Sequence, residues 1–384
     1  MIFDPFQFLK IFLNREIYID MSSRQSRKVL PPGKMIDRYK IIRLVGQGGY
    51  GDIYEAYDHK TQRNIAMKVE LASSRKQALI REYDIMKHLK SPYFPELIAF
   101  NELEKYKYLC MELCGPSIST IRRAIPNHIF GMSTILRAGI EMLRAIEAIH
   151  ELGFLHRDIK PSNFLLRPSR KYPIVLIDYG LSRPYINFET GELLPPRDHP
   201  GFVGTSKYAS LNAHQGKELG RRDDLYSWFF SLLEMWLGHL PWSISTDKHK
   251  IYSVKSQTDI SKLITKNEMS QPMPQPMLQV YRLIRRLNRD DKPNYSLLIS
   301  FIVEAMKELD ASWSDPYEWE QMDVSEFSAI SLQPPSDEEP NIPTDLPEPV
   351  MPKMQYVAFA RDDEFGFSRG RRDQRFYMGR YKKY

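Results

Sequence analysis

The run His156-Arg157-Asp158-Ile159-Lys160-Pro161-Ser162-Asn163 constrains this chain more than any other feature. It matches the pattern H-R-D-x-x-x-x-N, a loop built for phosphoryl transfer. In that chemistry Asp158 accepts the proton of an attacking hydroxyl. Lys160, two positions on, neutralises the phosphoryl group in flight, and Asn163 holds a metal ion. So specific a run rarely arises by accident. Asp178-Tyr179-Gly180 follows the apolar strand Ile174–Ile177 and supplies a second metal ligand, Asp178. Phenylalanine is commoner where Tyr179 stands, and a buried Tyr179 hydroxyl requires a hydrogen-bond partner.

Upstream lies Gly46-Gln47-Gly48-Gly49-Tyr50-Gly51, with Ile53 just beyond. Glycines at this spacing let backbone amides approach phosphates without an obstructing Cβ. Alone the motif is weak, since a plain glycine hairpin reads the same way. A dinucleotide fold would place a helix after the last glycine; here a strand pattern, Asp52–Tyr57, follows. Next comes Ile65-Ala66-Met67-Lys68, ending a strand pattern over Asn64–Glu70. A lone strand lysine is usually just solvated. In this order Lys68 serves the α- and β-phosphates of ATP, and Glu82 on the following helix is its anchor. Two metal ligands, a phosphate lysine and a base are what positioning and charge neutralisation demand, and they point to ATP and Mg²⁺ as cofactors.

The surrounding periodicity fits. Strand patterns at Tyr39–Val45, Asp52–Tyr57 and Asn64–Glu70 precede a helical pattern over Arg75–Leu89. Beyond Ile118 the chain turns helical, with one apolar face across Thr134–Leu152 and an almost wholly apolar helix over Asp224–Leu237. The architecture implied is α+β, a strand-rich small lobe followed by a helical large lobe. Of 384 residues, 42% are hydrophobic and 27% charged, enough for a sizeable core, and the net charge of +6 is mild. The two cysteines, Cys110 and Cys114, form no disulfide framework and read as reduced thiols. Charges at Asp4, Lys10, Arg15 and Glu16 argue against a signal peptide. Glu234 and His239 break the best apolar stretch, Trp228–Trp242, which is too short to span a bilayer. No membrane association is expected.

Residues 1–37 form an N-terminal extension closing on Leu30-Pro31-Pro32-Gly33, in which Met21 is an alternative start. Residues 38–320 form the ordered domain. Residues 321–384 read as a disordered tail. It is acidic and proline-rich without Lys or Arg from Gln321 to Pro352, then basic and aromatic. Arg369-Gly370-Arg371-Arg372 with Phe376, Tyr377 and Tyr381 resembles an RNA-contacting segment, but a docking role explains it equally, and nucleic acid is not expected as a partner.

Taken together, the motifs resemble those of protein kinases, and among them the casein kinase 1 superfamily. Its marks are Gly204-Thr205-Ser206-Lys207-Tyr208-Ala209-Ser210-Leu211-Asn212, Gly220-Arg221-Arg222-Asp223-Asp224-Leu225, Leu240-Pro241-Trp242 and Asp290-Asp291-Lys292-Pro293-Asn294-Tyr295. Pro195-Pro196-Arg197 before Gly201-Phe202, then Asn212-Ala213-His214 and Glu318-Trp319-Glu320, look most like the tau-tubulin kinase branch. The resemblance covers 38–320. It implies a bilobal protein kinase fold and transfer of the γ-phosphate of ATP to Ser or Thr of acidic or phospho-primed proteins.

The resemblance also implies roles. Gly46, Gly48, Gly49 and Gly51 would cover the nucleotide. Met111 would be the gatekeeper, Glu112 to Cys114 the hinge, and Ile53 and Ala66 the adenine's packing partners; plain core packing is the competing meaning for Met111, Ile53 and Ala66. Thr205 would contact Asp158 and Lys160. Asp224 would tie a large-lobe helix to the catalytic loop. Lys207, Arg221 and Arg222 would bind substrate anions, although surface arginines are more often simply solvated. A monomer, cytoplasmic and also nuclear, is expected. The main alternative is a pseudokinase scaffold, but such chains typically lose one of Lys68, Glu82, Asp158, Asn163 or Asp178, and none is lost here. A small-molecule kinase is disfavoured by Lys160 and the Thr205 segment.

Overall fold

A computed structural model describes residues 29–48, 51–73, 78–265 and 272–325. Residues 1–28 and 326–384 lie outside it, and with them the expectations for Met21 and for most of the tail. The chain divides into two compact units, one formed by Met1–Leu79 and Pro95–Cys114, the other by Ile80–Phe94 and Gly115–Tyr384.

The first unit is a six-stranded antiparallel sheet. Its strands are β1 (Met35–Ile36), β2 (Tyr39–Gly48), β3 (Gly51–Asp58), β4 (Arg63–Leu71), β5 (Leu97–Glu102) and β6 (Tyr106–Glu112), ordered β1-β2-β3-β4-β6-β5. Alternating β-branched and aromatic residues bury one face: Ile36, Tyr39, Ile41, Tyr54, Ile65, Met67 and Tyr108. Leu30 joins them, its amide donating to the Tyr54 hydroxyl at 3.1 Å. Thus Leu30 and β1, both upstream of residue 38, belong to this core. Bulges between Ile41 and Arg43 and between Leu44 and Gly46 carry β2 three residues past the expected Val45.

In the second unit, helix α1 (Ala78–Met86) is shorter than the Arg75–Leu89 pattern; residues 74–77 are not described, and the chain leaves the helix in turns at Lys87 and His88. There follow α2 (Ile118–Ala124), α3 (Met132–Glu151), β7 (Phe154–Leu155), β8 (Phe164–Leu166), β9 (Ile174–Leu176), β10 (Arg183–Pro184) and α4 (Leu211–His214). The remaining helices are α5 (Arg221–Leu237), α6 (Lys248–Gln257), α7 (Ile260–Thr265), α8 (Gln275–Arg286) and α9 (Tyr295–Glu308). Helix α3 is the central post. Gly139 lets Leu232 of α5 approach closely, and the Trp228 indole donates to Gly139 O at 3.0 Å. Helix α5 begins one turn earlier than its apolar run because the Asp223 carboxylate accepts the Gly220 amide at 2.8 Å, capping the N-terminus. No described helix is long and apolar enough to cross a membrane.

The end of the domain is clasped onto α3. Arg137 donates to Asp315 O at 2.6 Å and Pro316 O at 3.2 Å, and lies 4.1 Å over the Tyr317 ring. Tyr317 stacks on Trp319 at 4.2 Å, and Glu318 caps the Gly131 amide at 2.6 Å.

Candidate active site

Two short antiparallel pairs shape the catalytic loop. β7 pairs with β10, and β8 with β9, so that residues 156–163 are strung between two fixed strands. Ile177 N donates to Asn163 O at 2.9 Å, bringing the Asp178 segment alongside. Arg157 and Asp178 hold φ of +66° and +67°, a region that non-glycine residues occupy only when their surroundings enforce it.

Asp224, at the start of α5, supplies that enforcement. Its Oδ2 accepts from His156 N at 2.7 Å and its Oδ1 from Arg157 N at 2.8 Å. His150 Nε2 reaches the same Oδ2 at 2.9 Å, and His150 Nδ1 meets the Tyr295 hydroxyl at 2.5 Å. Burial holds His150 neutral by lowering its pKa. Burial alone would raise the Asp224 carboxyl; the hydrogen bond from His150, its largest counterweight, and the loop amide hold it below the usual carboxylate range. Hence His150 carries its proton on Nε2 and accepts from Tyr295 on Nδ1. His156 does similar work within the loop: its Nε2 donates to Ile177 O at 3.0 Å and its Nδ1 faces the Asp158 amide at 3.3 Å.

On this frame Asp158 is engaged on both oxygens. Oδ1 accepts from the Thr205 hydroxyl at 2.7 Å, and Oδ2 from Lys160 Nζ at 2.7 Å. Lys160 Nζ also reaches Thr205 Oγ1 at 3.1 Å. Gly204 makes the approach possible: at φ +96° it lies so close that a Cβ there would sit 2.5 Å from Arg157 O. The Asn163 side chain donates to Asp158 O at 2.9 Å, leaving its oxygen as the atom available to a cation. The Asp178 carboxylate, the other metal ligand expected from the sequence, would complete a sparse all-oxygen donor set. That fits Mg²⁺, which keeps waters and substrate phosphates as most of its ligands. Among the described residues no group of three or more His, Cys, Asp or Glu forms a ready-made metal cage. Tyr179 is 1% exposed, and its hydroxyl donates to Leu176 O while its ring meets His156 edge-on. The partner required by a buried hydroxyl is therefore present.

The sequence model of the protein kinase domain matches residues 39–304. The chain belongs to this family. It is 36% identical over 286 residues to a probable serine/threonine-protein kinase of Dictyostelium discoideum, across 74% of this chain and 56% of that protein. It is 28% identical over 321 residues to the serine/threonine-protein kinase spe-6 of Caenorhabditis elegans, across 80% of this chain and 83% of that protein. The chain thus spans little more than half the length of the first of these relatives. The kinase domain brings with it, as the family's general chemistry, ATP and a divalent metal ion.

The strand-rich unit carries the residues that the sequence led us to expect at a nucleotide. Register pairs Ile53 with Lys68 and Ala66 with Met111, so these side chains come from neighbouring strands of one sheet. Gly46 and Gly48 end β2 and Gly51 opens β3; Gly49 lies outside the described residues. Gly51 has φ +134°, and a Cβ there would meet Val69 O at 2.8 Å, so glycine is required. Glu112 ends β6, and Cys114 Sγ lies 4.0 Å from Glu112 O. Lys68 on β4 and Glu82 on α1 are each buried in their own setting, at 6% and 3% exposure.

The residues expected to bind substrate anions each have protein acceptors. Lys207 forms an ion pair with Glu234. Arg221 donates to the Tyr185 hydroxyl at 3.1 Å and to Asp290 O at 2.9 Å, and Arg222 to Leu287 O at 2.8 Å. Sequence reasoning gave none of His150, Tyr295, Glu234 or Lys255 a task at the site. Each is a polar residue buried within a helix, a pattern that flags importance without naming the partner.

Proposed function

We propose that this chain is an active serine/threonine protein kinase of the casein kinase 1 superfamily, closest to its tau-tubulin kinase-like branch. The observation that carries the activity is the closed arrangement of Asp158, Lys160 and Thr205. A carboxylate held by a cation and a hydroxyl keeps a free lone pair on each oxygen for a substrate proton. Thr205 sets the floor on which a serine or threonine hydroxyl is presented to Asp158. Lys160 meets the charge developing on the transferred phosphoryl group. Asn163 and Asp178 would hold Mg²⁺, whose charge would neutralise the ATP phosphates. Lys68 would steady the α- and β-phosphates.

The superfamily assignment rests on Ser210-Leu211-Asn212 and the neighbouring motifs. In the structure Ser210 and Asn212 both donate to the Asp223 carboxylate, at 2.7 and 2.9 Å, which gives that triplet a physical task beside the catalytic loop. Acidic or primed substrates belong to this proposal through the resemblance alone, since an anion reaching Lys207 would compete with Glu234. A monomer working in the cytoplasm and nucleus completes it.

The test is transfer of labelled γ-phosphate from Mg-ATP to casein, an acidic Ser/Thr peptide and a neutral one, with Asp158→Asn alongside. Phosphoserine or phosphothreonine should form, and Asp158→Asn should lower turnover by roughly 10³-fold, about 4 kcal/mol in barrier. No transfer by the folded parent would shift the assignment to a scaffold.

A further inference from the structure

Lys255 is a lysine with no access to its usual surroundings. It projects from α6, is 3% exposed, and has no carboxylate among its hydrogen-bond partners in the described residues. Its Nζ donates to Ser206 O at 2.8 Å and to Ala209 O at 2.7 Å. The same nitrogen lies 3.4 Å from His214 Nε2 and 5.3 Å from the ring centres of Phe230 and Trp242. Burial brings its pKa down to about 7. A leucine or methionine would fill such a pocket at lower cost in desolvation, so the two carbonyls give the cation its purpose.

Those carbonyls flank the segment that follows Thr205. From the same side, the Trp242 indole donates to Lys207 O at 2.7 Å, and His214 Nε2 contacts Ser206 O at 3.0 Å. Phe202 and Tyr252 hold the His214 ring at 5.4 and 5.7 Å. Within the segment, Tyr208 N and Ala209 N both fold back onto Thr205 O at 2.9 Å. The carbonyls of Ser206, Lys207 and Ala209 are thus all drawn toward the interior. That fixes the turn whose first residue, Thr205, meets Asp158.

We propose that Lys255 is a positioning residue for phosphoryl transfer to peptides: by gripping Ser206 O and Ala209 O it sets the Thr205–Ala209 loop, and through it the Thr205–Asp158–Lys160 contact. This rests on the kinase assignment above. It extends the peptide-binding machinery to a side chain that touches neither substrate nor nucleotide.

The test compares the full chain with Lys255→Met, which keeps the bulk and removes the donors, with Thr205→Ala, and with the double variant. Lys255→Met should lower kcat/KM for a Ser/Thr peptide by about tenfold or more, a misplacement effect, while KM for ATP stays within twofold. Because Lys255 acts through Thr205, the double variant should lose no more than the worse single one. Amides 206–210 should exchange with deuterium faster, with α3 unchanged. Losses that multiply in the double variant, unchanged peptide kinetics, or unchanged exchange in 206–210 would each overturn the proposal. If the parent transfers no phosphate, the kinase reading fails, whereas the exchange measurement still decides the role of Lys255. Should Lys255→Met not fold, Lys255→Gln, which retains two N–H donors, takes its place with the same expectations at smaller amplitude.

Discussion

Replacing Asp224 by asparagine isolates what one carboxylate does for the catalytic loop. The shape is preserved, but one oxygen becomes an NH₂ group. In the parent, Oδ1 accepts the Arg157 amide while Oδ2 accepts the His156 amide and His150 Nε2. An asparagine keeps the most by turning its oxygen toward the Oδ2 position. Its NH₂ then faces the Arg157 N–H, donor against donor. One charge-assisted bond is lost, about 1.5–3 kcal/mol, and a buried amide is left unpaired. The two surviving bonds become neutral and weaker. The sum is about 3–5 kcal/mol, a large share of the ~5–15 kcal/mol that holds a typical domain together. Arg157, already at φ +66°, has the most to gain by relaxing, and Asp158 is the next residue. The expected outcome is a melting midpoint lower by about 10 °C and a kcat for peptide phosphorylation lower by ~10²-fold, with KM for ATP little changed. Calorimetry and steady-state kinetics on the same preparation measure both. A variant that melts and turns over like the parent would refute the idea that Asp224 enforces the loop geometry.

Trp319→Ala should cost about 3–5 kcal/mol, because the indole is 1% exposed, stacked on Tyr317 and met edge-on by Phe130; a thermal melt checks it. Burial, and after it Glu151, push the Glu147 carboxyl up to about 7, and its Oε2 has no hydrogen-bond partner among the described residues. The folded form therefore binds that proton more tightly than the unfolded chain, so stability falls as pH rises from the ordinary glutamate value, about 4.3, through 7. Glu147→Gln should remove this loss, so its melting advantage over the parent should be larger at pH 8 than at pH 5.

The sequence was most legible where chemistry fixes spacing. Asp158, Lys160 and Asn163 lie on one short loop, so their order along the chain nearly dictates their arrangement. Strand boundaries were nearly as readable, but β2 overran its pattern because two bulges absorb residues that break the alternation. The supporting shell was not legible. His150 meets Asp224 across 74 positions and Tyr295 across 145, and no local rule links them. Lys207, Arg221 and Arg222 show the opposite side of the same problem. A basic residue in a sequence advertises its charge but not the carboxylate or carbonyl that the fold brings to it.

Gly204 joins what the sequence shows to what only the fold can show. Its place in Gly204-Thr205-Ser206 is visible in the chain, but its necessity comes from Arg157, far upstream. An added Cβ would lie 2.5 Å from Arg157 O, backbone against side chain, and φ of +96° would strain any other residue in addition. Neither atom can swing aside as a flexible side chain could, so one of the two segments must shift. The segments in question carry Thr205 and Asp158, whose contact is 2.7 Å. Gly204→Ala should therefore damage catalysis out of proportion to stability. Backbone strain of about 1–3 kcal/mol would lower the melting point by only several degrees. A displacement of about 1 Å between the two loops would lower kcat by ~10²-fold. If Gly204→Ala instead lost stability and kept its turnover, the close approach would be a packing detail, and the Thr205–Asp158 contact would not govern the rate.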